Sequence, residues 1–224
     1  MNVMVVVPDI FFDEAMKVVF DQQAFLTNTG NKERLIQLLR LRFKEKGFPS
    51  VQSNCDADID IVSSAINIAS QKQKSVAVVA EDTDVLIMLS FHLTSDMADI
   101  WFVSDKKIKS CNEQKKISIR SLQRKLGFNT CQLMPVIHSS GGCDTTSAMY
   151  GLSKTKVFNT ISKDQSLRPP ALVLQNTQAE SKEVIEAGLQ LLVTLYGGRR
   201  GKGGQLVDKL NKMRYTGYCK MAIE

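Results

Sequence analysis

Three short acidic clusters punctuate this chain: Asn54-Cys55-Asp56-Ala57-Asp58, Ala80-Glu81-Asp82-Thr83-Asp84 and Gly141-Gly142-Cys143-Asp144. Carboxylates gathered so closely repel one another and resist burial, so a fold keeps them where a cation or a helix N-terminus compensates. Their hard oxygens suit Mg²⁺ or Mn²⁺. Two such ions about 3.5–4 Å apart can clamp the attacking and leaving oxygens of a phosphodiester. Asp56, Asp58, Asp82, Asp84 and Asp144 are therefore the candidate metal ligands and catalytic residues. Helix capping competes with this reading, because an aspartate ahead of a helix commonly caps it and does nothing else. Recurrence at successive strand-to-helix turns favours metal binding. Asp60, two residues beyond Asp58, is expected to face solvent or to support the ligands.

The elements that must position these acids follow from apolar periodicity and turn residues. Residues 3–7 read as a buried strand, followed by an irregular stretch to Gly30. Residues 31–47 read as a helix with Leu35, Ile36, Leu38, Leu39 and Phe43 on its apolar side, Asn31 as cap and Gly47 as terminator. A short strand is expected over 48–53, a helix over 58–70 and a central parallel strand over the apolar run 75–80. A helix over 84–91, a strand over 100–103 and a polar hairpin or loop over 106–119 follow. Beyond residue 118 the pattern turns helical: 118–126, 130–138, 145–150 and 153–161, a break at Arg168-Pro169-Pro170, then a closing pair over 181–196 and 205–218 across a Gly-rich loop.

This order describes an α/β chain. Residues 1–127 form a three-layer α/β/α core on a mostly parallel sheet, and residues 128–224 form a helical section. Open parallel sheets bind ligands beyond the carboxyl ends of their strands, where the first two acid pairs fall.

Composition narrows the class. The 224 residues are 43% apolar, enough for a substantial core, and the net charge of +6 suits an anionic polymer held beside a metal pocket. No apolar run approaches the roughly 18–20 residues of a membrane span. The apolar start is too short and uncharged for a secretory signal. Five cysteines (Cys55, Cys111, Cys131, Cys143, Cys219) without a Cys-x-x-Cys pair point to a reducing intracellular compartment.

With these motifs in order, the chain resembles the flap-endonuclease (XPG-like) branch of the PIN-like nuclease superfamily. Asp56-Ala57-Asp58 is similar to the acid-x-acid pair that opens a helix there, with Asp for the usual Glu. Glu81-Asp82-Thr83-Asp84-Val85-Leu86 is similar to the (E/D)-D-x-D turn after a strand. The run from Gly142-Cys143-Asp144-Thr145-Thr146-Ser147 to Lys156 is similar to the Gly-x-Asp that leads into a helix-two-turn-helix element, here about residues 142–161. The likeness is closer still to transposon-associated animal members of the superfamily, through Phe25-Leu26-Thr27-Asn28 with Asn31-Lys32, Asp82-Thr83-Asp84, and His138 followed by Gly142-Cys143-Asp144-Thr145-Thr146-Ser147. It covers about residues 20–220.

The resemblance implies a structure-selective nuclease that uses two Mg²⁺ or Mn²⁺ ions and acts on DNA ahead of RNA. It implies nuclear ahead of cytoplasmic residence. Gly151, Ser153, Lys154 and Lys156 would hold the duplex backbone, with a K⁺ ion at the helix-two-turn-helix. Such contacts position a substrate without reading its sequence. The chain departs from the family upstream of Asp56, where the two strand-borne acids are not evident among Asp9, Asp13 and Asp21. It therefore resembles an N-terminally shortened member. The alternative is a catalytically inactive PIN-like module that binds nucleic acid or a protein partner.

Other chemistry is weaker. His138 and Cys143 could pair as base and nucleophile, but sequence offers no third orienting group. A zinc site from Cys131, His138 and Cys143 lacks paired spacing, and His138 is expected to be structural. Arg120, Arg124 and Lys125 form a basic helix face. The Gly197–Gly204 loop lacks the Gly-Lys-Ser/Thr ending of a phosphate loop and follows a helix rather than a strand.

Overall fold

The computed structural model describes residues 8–13, 15–17, 21–54, 56–71, 75–107, 114–198 and 210–221. Contacts divide the chain into two compact units, Met1–Cys55 and Asp56–Glu224. The expected strand over 3–7 lies outside the described residues.

In the first unit, Asp21 caps a helix that the irregular reading of this stretch missed, α1 (Gln22–Thr27), by accepting from the Ala24 amide. Asn28, rather than Asn31, caps α2 (Thr29–Glu45). Asn31 is fully buried. Its amide accepts from the Ile10 N–H at 2.7 Å and donates to the Pro8 carbonyl at 3.1 Å, so it ties down an extended segment that would otherwise lose its partners. Leu39, Leu41 and Phe43 on α2 are exposed. Residues 48–53 are irregular rather than a strand. The Phe48 N–H is spent on the Phe43 carbonyl as the chain turns at Gly47 (φ 76°), and Pro49 has no N–H to offer a ladder.

The second unit opens with α3 (Ala57–Ser70), β1 (Val76–Val79), α4 (Thr83–His92), β2 (Ile100–Lys107), β3 (Gln114–Ser118) and α5 (Ile119–Leu126). The three strands form one mixed sheet in the order β1-β2-β3. β1 and β2 run parallel with Val78 beside Phe102, and β3 returns antiparallel with Ile117 beside Phe102. The hairpin expected over 106–119 is thus present, with its connection outside the described residues. Val62 and Ala69 of α3, Val85 and Leu89 of α4, Val78, Ile100 and Phe102 of the sheet and Ile119 of α5 share one buried cluster. On the other side of the strands, Val79 and Trp101 are exposed.

The remainder is helical: α6 (Phe128–Gly141), α7 (Lys154–Lys163), α8 (Arg168–Gln175), α9 (Ser181–Leu195) and α10 (Leu210–Met221). Leu133 and Ile137 of α6, Val157 and Ile161 of α7, Ala171 of α8 and Leu191 and Leu195 of α9 form a second buried cluster.

Two expectations fail here. Residues 145–150 are not a helix, because Cys143 and Thr146 exchange backbone hydrogen bonds in an isolated bridge (2.9 and 3.2 Å). The Thr146 hydroxyl also bonds the Ser139 carbonyl at 2.8 Å, the local competition that makes Thr a poor helix former. Arg168-Pro169-Pro170 opens α8 instead of breaking the chain. Amides in a first turn have no intrahelical acceptor, so proline loses nothing there.

Candidate metal centre

Each of the first two acid pairs divides its labour. Asp56 caps α3, its Oδ1 accepting from the Asp58 amide at 3.0 Å. Asp82 caps α4 in the same way, accepting from the Asp84 amide at 2.9 Å. The capping reading therefore holds for the first member of each pair. Asp58 and Asp84 stand in the first turns of their helices, where the helix end favours negative charge.

The five candidate acids act on one another. Partial burial, first, holds the Asp58 carboxyl above its usual value, followed by repulsion from Asp56, Asp82, Asp84 and Asp144. One carboxyl thus feels four others drawn from three places in the sequence. Asp144 reaches them from the exposed turn after α6. That turn depends on Gly142: its φ is +87°, and an added Cβ would lie 2.8 Å from the backbone of Ala148. Asp60 is exposed, as expected. Glu81 turns to β2, accepting from the Ser104 hydroxyl at 2.8 Å.

His138, at the end of α6, lies against this group. Its Nε2 is 2.7 Å from Asp84 Oδ1, with side chains 13% and 29% exposed. An ionised carboxylate only accepts, so in this pair Nε2 is the donor. Donor atoms of Asp84, His138 and Cys143 all lie within 4.8 Å of one another. The missing orienting group for His138 is therefore Asp84, which sequence reasoning overlooked because the pair is 54 residues apart. The Gly142-Cys143-Asp144 turn just past His138 was the signal available.

Cys143 is half-buried on the turn, and its thiol is held below the usual value by the Thr145 hydroxyl first (3.3 Å) and by Thr146 second (3.1 Å). Thr146 has one hydroxyl proton, directed at Ser139, so Thr145 is the donor available to a thiolate. Cys131 is buried in α6, and burial pushes its thiol up.

The candidate nucleic-acid residues lie at the start of α7. Ser153 caps that helix by accepting from the Lys156 amide at 3.2 Å. Gly151 turns the chain with φ 72°. Lys154 and Lys156 are exposed, while Val157 and Ile161 point into the core. The Lys154 stem crosses Gly141, where an added Cβ would come 3.3 Å from Lys154 Cγ. Arg120 is differently employed: its guanidinium donates to the carbonyl of Met97 at 2.5 Å and of Thr94 at 3.4 Å. Arg124 and Lys125 remain exposed on α5. The Gly-rich loop lies outside the described residues beyond Gly198.

The arrangement offers hard carboxylate oxygens at two helix N-termini and one turn, and burial first, then repulsion from the other four acids, pushes the Asp58 carboxyl up. That donor set fits a divalent ion. Among the described residues no helix is long and apolar enough to cross a membrane. Comparison with family models, curated proteins and solved structures finds no match to this chain.

Proposed function

We propose that this chain is a divalent-metal-dependent nuclease of the flap-endonuclease-like, PIN-like type, hydrolysing phosphodiester bonds of structured DNA ahead of RNA. The observation that carries this reading is the convergence of Asp56, Asp82, Asp84 and Asp144 on Asp58. These acids would hold two Mg²⁺ or Mn²⁺ ions. Metal bound there would neutralise charge at the phosphate and activate a water for attack. The chain's own part is to set the carboxylates at helix starts, so that backbone amides fix Asp56 and Asp82 while Asp58 and Asp84 face the pocket from rigid first turns.

A parallel β1–α4–β2 unit sets Asp82 and Asp84 just past the carboxyl end of β1, as in open α/β sheets. Within residues 142–161, where the resemblance implies a helix-two-turn-helix, α7 is helical and the first short helix is replaced by a turn; the exposed Lys154 and Lys156 on α7 would contact the duplex backbone, with Gly151 and Ser153 shaping its start and a K⁺ ion as the family's companion. Nuclear residence follows from a DNA substrate.

The test is cleavage of flap, nicked and single-stranded DNA by the purified chain with Mn²⁺. The reading expects metal-dependent cleavage that Asp82→Ala/Asp84→Ala abolishes. No cleavage, or equal cleavage by the double variant, contradicts it and leaves the inactive binding module.

A further inference from the structure

We propose that Asp84, His138 and Cys143 form a second kind of metal site at the edge of the acidic pocket, one that takes a borderline-soft transition ion such as Zn²⁺ or Co²⁺. The three bring one carboxylate oxygen, one imidazole nitrogen and one sulfur to within 4.8 Å of each other. They come from the first turn of α4, the last turn of α6 and the turn beyond it. A tetrahedral Zn²⁺ with bonds of about 2.0 Å to N and O and 2.3 Å to S holds its donors roughly 3.3–3.6 Å apart. Asp84 and His138, now 2.7 Å apart, need only open slightly, and Cys143 moves on an exposed turn rather than in the core.

Thiolate and imidazole select this class of ion over Mg²⁺, which demands oxygen and octahedral geometry. Binding through Nε2 shifts the imidazole proton to Nδ1 and releases the thiol proton to solvent. The fourth position is left for water or for an oxygen of a bound ligand, as in accessible zinc centres. Cys131 takes no part, because it lies in the helical core and outside the cluster. Asp84 is common to both sites, so an ion bound here competes with a hard ion for one carboxylate. The proposal needs no catalysis, and its failure would leave the nuclease reading standing.

Co²⁺ titration of the full chain tests it. The expected result is a thiolate-to-cobalt charge-transfer absorption with visible bands of a tetrahedral ion, saturating at one equivalent and erased by Zn²⁺. Cys143→Ser should remove the charge-transfer band, and His138→Ala should weaken binding by about tenfold or more. Cys219→Ser, at a cysteine outside the site, should leave the band in place. Because a variant can misfold, iodoacetamide labelling of the wild type serves as the second measurement: one equivalent of Zn²⁺ should protect Cys143, and excess Mg²⁺ should not. Absence of the band, a band that survives Cys143→Ser, or Cys143 labelling unaffected by Zn²⁺ would overturn the proposal.

Discussion

Desolvation first, and then four neighbouring carboxylates, disfavour the charge of Asp58. With its folded value raised above 3.8, the native state binds more protons than the unfolded chain in the window just above that value. The cost of the charge is thus fully present above the folded value and disappears as pH falls toward 3.8. With chelator present, Asp58→Asn should stabilise the protein at neutral pH by roughly 0.2–1 kcal/mol, the scale of a solvent-screened charge contact. The gain should vanish in acid, as urea melts of both proteins at several pH values would show. Cysteine chemistry follows the same local logic. Cys143 should react with iodoacetamide near neutral pH well before buried Cys131, and Thr145→Val should slow Cys143 by removing the hydroxyl that favours its thiolate. The five acids were legible in the sequence as candidates, but only Asp82 and Asp84 lie at the expected strand-to-helix turn; Asp56 and Asp58 open α3 after an irregular stretch, and Asp144 lies in a turn after α6. The His138–Asp84 pair was not legible, because only the packing of α4 on α6 creates it.

Elements declared themselves where side chain and backbone agreed. Asp56, Asp82, Ser118 and Ser153 each cap the helix that follows, and apolar spacing marked α3 and α9. Reading failed where the backbone's partner lay elsewhere. Residues 48–53 open with the Phe48 amide donating into the end of α2, and Thr146 closes a bridge with Cys143 rather than a helical turn. The turn that carries Asp144 should be intolerant of change. Gly142→Ala adds a Cβ 2.8 Å from the Ala148 backbone at a left-handed φ, and should cost at least about 1–3 kcal/mol. A lowered thermal midpoint would report it, and the same variant should bind Mn²⁺ less tightly because Asp144 is displaced.

At the scale of the molecule, two buried clusters carry the second unit: one between the sheet and α3, α4 and α5, the other among α6, α7, α8 and α9. Asp82 and Asp84 open α4, of the first cluster, which packs on α6, of the second, and Asp144 follows α6, so packing on both sides positions these acids. Leu89→Ala, fully buried on α4, should cost about 2–5 kcal/mol, whereas exposed Leu39→Ala on α2 should stay within about 0.5 kcal/mol in the same denaturant melts. The α/β order and the helical second half could be read from periodicity. The size and mixed character of the sheet could not, because they depend on which strands find partners. The central claim is that the five aspartates make one divalent-metal pocket. Isothermal titration of Mn²⁺ into the wild type and into Asp58→Ala/Asp82→Ala tests it most directly. The account predicts saturable binding by the wild type that the double variant loses, and equal heats from the two folded proteins would contradict it.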